Sequence, residues 1–169
     1  MTVSLFTFVG LYSRLLDVTS HLVKKGADHA KAAGQSEEVI LDWRLIDDMA
    51  PLRFQLMVVC NFSRQWTARV VGLPVPEAIA DTLSLADFEA AIADAKAYLA
   101  DLTPKQFAGR DDVPLTHEIG DGMKPTLPAA QWLTGFAATN LYFHVSTAYG
   151  ILRAKGVQIG KVDLFPTGL

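Results

Sequence analysis

Cysteine is nearly absent. The chain of 169 residues holds a single one, Cys60, so it can form no internal disulfide, and no Cys-x-x-Cys or Cys/His spacing suits a structural zinc. A reducing compartment, the cytoplasm, is the expected location. Positive charge is also scarce: 15 Lys and Arg against 18 Asp and Glu give a net charge of −3, with no basic run. Nucleic acid, which demands a positive stripe, is not an expected partner. No apolar run reaches the roughly 20 residues that span a bilayer. The greasy start is broken by Arg14 and Asp17 and has no basic segment before it, so it reads as a helix and not as a leader. Also missing are a Gly-x-Ser-x-Gly elbow, a phosphate-binding glycine loop and a dinucleotide fingerprint.

What the chain has is apolar mass. Half of its residues are hydrophobic, enough for a single domain over residues 1–169 with one sizeable core. From Val3 to about Ala33, Leu5, Val9, Tyr12, Leu15, Leu16, Leu22 and Val23 recur at three- and four-residue steps, the stripe of a long amphipathic helix. Asp17 and His21 fall on its other face at i,i+4 spacing, where they can pair, and His21 and His29 read as solvated.

A second helix is expected from Pro51 to Gly72, with Asp47 and Asp48 capping its start and Gly72 ending it. The linker GLPVPE leads to Ser84-Leu-Ala-Asp87, a capping-box-like start for a third helix. A short turn after Thr103-Pro104 precedes the alternation of Val113, Leu115, His117 and Ile119. With the Gly120-Asp121-Gly122 turn, that alternation spells a small β-hairpin. His117 lies in phase with its apolar face, as a half-buried tip. A fourth helix runs from near Pro128 to about Lys155, with Gly156 as its stop and the tail folded back. The expected architecture is all-α: a four-helix bundle with a β-hairpin insert before the last helix.

The chemistry concentrates in NLYFHVSTAYGILR, Asn140 to Arg153. Asn140 and His144 sit one helical turn apart inside an apolar face, the spacing by which paired helical side chains converge on one point. Three readings stand side by side. His144 can be a core histidine satisfied by a neighbouring amide or carbonyl, it can line a pocket for a small molecule or a proton transfer, or it can ligate a metal. A transition metal wants about three protein ligands, and on the second helix Cys60 and Asn61 are the candidates at comparable depth. Cys60, flanked by Met57, Val58, Val59 and Phe62, reads as a small core residue more naturally than as a nucleophile.

The same stretch, with VILDWRLIDDM, the Cys60-Asn61-Phe62 helix, the proline linker, TPKQF and the hairpin in order, resembles a bacterial family of unknown function related to the DinB/YfiT-like helical-bundle superfamily. In many DinB-like proteins the last helix carries His-x-x-x-His, and a third histidine from the second helix completes a divalent metal site. By that resemblance His144 matches the second histidine, Asn140 stands at the first, and the second helix has none. The resemblance implies the bundle, a homodimer and a polar pocket of His144, Asn140, Asn61 and Cys60 at a degenerate metal position. Two alternatives accompany it: a metal-dependent or thiol-transferase-like enzyme using His144 with zinc or nickel, and a structural or partner-binding module. No cofactor is assured, and no catalytic residue is assigned.

Overall fold

The computed structural model describes residues 3–168. Four long helical segments build the bundle, α1 (Thr7–Ala32), α2 (Leu52–Val71), α3 (Leu85–Ala100) and the last helix, with a short α4 (Pro104–Phe107) after α3. The last helix comes in three pieces: α5 (Ala129–Gln131), a π-helical segment (Trp132–Ala137) and α6 (Ala138–Ala154). β1 (Pro114–Thr116) and β2 (Thr126–Pro128) pair antiparallel, with Leu115 opposite Leu127. The fold is therefore all-α with a two-stranded ribbon before the last helix, as the pattern of apolar stripes implies. Among the described residues, no helix is long and apolar enough to cross a membrane.

Around the bundle, α1 packs against α3 and α6, and α2 packs against the same two. The stripes set that order: Leu16, Leu22 and Val23 of α1, Leu56 and Val59 of α2, Phe88 and Ile92 of α3, and Leu141 and Ile151 of α6 are all buried. α1 and α6 approach closely at Gly26, where an added Cβ would stand 2.8 Å from Leu152 Cδ2. Local signals fix most boundaries. Gly72 ends α2 in the left-handed region, at φ 79, and Gly156 follows α6 with φ 89, both conformations that glycine adopts without steric cost. Ser84 Oγ accepts the Asp87 N–H at 3.2 Å to open α3. Glu38 reaches over from the preceding 3-10 turn (Glu37–Asp42) to accept the Leu85 N–H.

Several expectations are corrected. Asp47 and Asp48 do not cap α2. Pro51 occupies its N-cap position with no side-chain cap, and the Leu52 N–H donates instead to the Trp43 carbonyl at 2.8 Å. The Asp17–His21 pair does not form: Asp17 pairs with Lys96 of α3, and His21 Nε2 meets Asp163 Oδ1 at 2.8 Å. His21 is thus part-buried under the returning tail, not solvated. His29 is also part-buried, edge-on to Trp43 at 6.2 Å.

Candidate functional site

Asn140 and His144 lie on α6, both partly buried. His144 faces the first turn of α2, where the structure supplies a residue absent from the sequence candidates. Gln55, only 3 % exposed, places Oε1 2.7 Å from His144 Nδ1. The signal was available, since Gln55 stands three residues after Leu52 and four before Val59, on the buried stripe of α2, where a polar side chain needs a partner.

The network assigns the protons on this pair. Gln55 Nε2 donates to the Ala50 carbonyl at 3.0 Å and to the Pro51 carbonyl at 3.3 Å, which uses both of its hydrogens. A flipped amide would set its oxygen against two carbonyl oxygens, so the orientation follows from the partners. Oε1 can only accept, and His144 Nδ1 must therefore carry the hydrogen. The neutral ring then presents Nε2 as a bare lone pair, without a hydrogen-bond partner among the described residues. Phe54 and Phe143 stand edge-on to the ring, at 6.0 and 5.2 Å between centroids. Burial beside these rings pushes the His144 pKa down to about 4, because the charged form loses solvation.

The other sequence candidates are occupied elsewhere. Asn140 Nδ2 donates to the Phe136 carbonyl one turn back, at 2.8 Å, and no hydrogen bond joins it to His144. Asn61 is 6 % exposed, and it fastens the proline linker to α2. Its Nδ2 donates to the Ile79 carbonyl at 3.0 Å and its Oδ1 accepts the Ile79 N–H at 2.9 Å. Cys60 is fully buried, and burial pushes its thiol up to about 12; a thiol so held is no nucleophile at neutral pH. His117 packs on the indole of Trp66 at 4.9 Å, and burial first, then Arg69, lowers its pKa.

The π-helical segment places Trp132 and Phe136 beneath this ribbon. Trp66 stacks on Trp132 at 4.9 Å, Phe136 stacks on Phe62 at 5.9 Å, and Trp132 Nε1 donates to the Leu115 carbonyl at 2.8 Å. Such segments often accompany functional sites. Here the turn also sets the carbonyl of Phe136 under the Asn140 amide.

A divalent metal does not fit this donor set. Only His144 offers a ready ligand, Gln55 Oε1 is committed to Nδ1–H, and Asn140 retains one neutral amide oxygen. Among the described residues, no group of three His, Cys, Asp or Glu side chains comes together, whereas zinc and nickel sites draw on about three. What is present is the outer arrangement of a metal histidine, an Nδ1–H held by a fixed acceptor. As a base, an imidazole with a pKa near 4 is far from the value that suits proton transfer at neutral pH. It is well made to accept a hydrogen bond from a neutral donor.

Comparison with known proteins places the chain and its fold. Residues 6–165 match a family described as Domain of unknown function (DUF1993). The fold is similar to the crystal structure of a DinB family member protein from Shewanella denitrificans, with a TM-score of 0.86 and 29% sequence identity over 95% of this chain and 90% of that one. No curated protein matches the sequence.

Proposed function

The chain belongs to the DUF1993 family, related to the DinB-like superfamily, and from that footing we propose that it is a binding protein built on a degenerate metal position. In this reading the Gln55–His144 pair forms a neutral polar pocket whose His144 Nε2 accepts a hydrogen bond from a small ligand carrying a hydroxyl, amide N–H or thiol donor. The observation that carries it is the double commitment of Gln55, which fixes the imidazole as the Nδ1–H tautomer. Asn140 adds an amide oxygen one turn away, and Phe54 and Phe143 supply flat apolar walls.

A second reading keeps the metal. The fixed Nδ1–H is also what a metal-bound histidine uses, and since this donor set alone does not suffice, donors from a ligand or a second copy of the chain would have to complete the coordination. Elemental analysis of untagged protein, purified without chelator, separates the two. Binding without metal predicts less than about a tenth of an equivalent of zinc, nickel or manganese. Stoichiometric metal that His144→Leu removes would sink the proposal. Long-range 15N NMR on the wild type reads the tautomer directly, and an Nε2–H ring would contradict the argument at its base.

A further inference from the structure

A hollow of about 330 Å³ lies away from the Gln55–His144 pair, between α1, α6 and the returning tail. That is the low end of the range for sites that hold small organic ligands, about 300 to 1,000 Å³. Leu11, Leu15 and Val18 of α1, Val145 of α6 and Leu164 of the tail form its apolar floor and walls. Arg14 and Ser146, both exposed, also line it. No acidic side chain lines it, and Arg14 forms no ion pair among the described residues.

The tail wall is held in place. The 3-10 turn Lys161–Leu164 directs Asp163 onto His21 Nε2 at 2.8 Å and onto the Gly160 N–H at 2.7 Å. These contacts tie the tail to α1 and hold the Asp163 carboxylate in bonds of its own. An apolar trough whose lining, among the described residues, includes one basic side chain and no acidic one suits a molecule with an apolar body and one negative end. We infer that this groove binds a monoanionic amphiphile, a medium-chain carboxylate whose chain lies along Leu11, Leu15 and Val18 and whose head group meets Arg14 and Ser146. It is a site separate from the Gln55–His144 pair and does not depend on it.

Octanoate is the probe, with hexanoate and octanol as comparisons, titrated into the full chain by calorimetry and followed by amide NMR. The expected result is one saturable site with shifted resonances on α1, α6 and the tail. Octanoate should bind about tenfold more tightly than octanol, the worth of one charge-assisted contact at a partly exposed site. Hexanoate should bind about fifteenfold more weakly than octanoate, at roughly fourfold per buried methylene. Arg14→Gln should erase the preference for octanoate over octanol while both still bind. Ser146→Trp, at an exposed position, should fill the groove and abolish both without changing the melting temperature. Absence of saturable binding, binding indifferent to both substitutions, or a dimer by light scattering that Ser146→Trp dissociates would each overturn the inference. The last outcome would make the groove a subunit interface.

Discussion

Protonation of His144 is the perturbation that tests the Gln55–His144 pair most directly. The ring's pKa is held at about 4 in the folded protein against an ordinary value of 6.5, and burial is the cause. The unfolded chain therefore takes up a proton near pH 6.5, and the folded chain only near pH 4. Between those values the unfolded state binds more protons, so the contribution of the neutral ring to stability is complete above about pH 6.5 and falls away toward pH 4. A difference of about 2.5 at 1.36 kcal/mol per pKa unit caps the effect near 3.4 kcal/mol. His144 is only partly buried, and solvent screening brings the expectation to about 1–2 kcal/mol. Urea unfolding at a series of pH values from 7.5 to 4.5 measures it, with His144→Leu as the reference, since every other titrating group is common to both proteins. Wild type should lose about 1–2 kcal/mol more than the variant across that range. Parallel profiles, or an NMR titration of His144 centred near 6.5, would refute the reasoning that this imidazole is kept neutral by its surroundings.

Three further outcomes follow from the same geometry. Gln55→Glu sets a carboxylate against Nδ1–H, so His144 should titrate at higher pH than in wild type by NMR, while the Ala50 carbonyl, which loses its side-chain donor, lowers stability at pH 7 by about 1–3 kcal/mol. Asn61→Ala removes both bonds to Ile79; it should cost about 2–3 kcal/mol in urea unfolding and speed hydrogen exchange at the Ile79 amide, and unchanged exchange would show that the linker is held by other contacts. Gly26→Val crowds Leu152 and Ile40, which already lie 2.8 and 3.4 Å from the first added carbon, and should cost about 1–3 kcal/mol, whereas an unchanged melting temperature would mean that α1 and α6 separate freely.

The parts of this fold that were legible in the sequence are those whose causes are local. A glycine forced to positive φ ends a helix wherever it stands, as Gly72 and Gly156 do, and Ser84 caps the residues that immediately follow it. Apolar periodicity names the buried faces, because the core takes whichever side is greasy. What stayed hidden depends on residues far apart in the chain. Asp47 and Asp48 have the composition of a cap, yet the loop folds so that the Trp43 carbonyl reaches the Leu52 amide first. Asp17 had His21 at hand one turn away, but Lys96 and Asp163 arrive from α3 and the tail and take one partner each. The π-helical segment carries no local mark either; its six residues hold Trp132 and Phe136 against Trp66 and Phe62 on α2.

The candidate site divides along the same line. The Asn140/His144 spacing marks His144, but its partner does not follow from the depth of Cys60 and Asn61 along α2. Each of those had a nearer obligation: Asn61 to the linker at Ile79, and Cys60 to packing among apolar neighbours. Gln55 differs because it serves two ends at once. Its amide nitrogen satisfies the Ala50 and Pro51 carbonyls just ahead of α2, and that leaves its oxygen aimed at α6. The local folding of the α2 entrance therefore decides which nitrogen of a histidine 89 residues away carries the proton. A histidine on the second helix could ligate a metal, but it could not donate to both carbonyls and accept from Nδ1–H as well. At this position the side chain that completes the helix start is the one that turns His144 into a neutral acceptor.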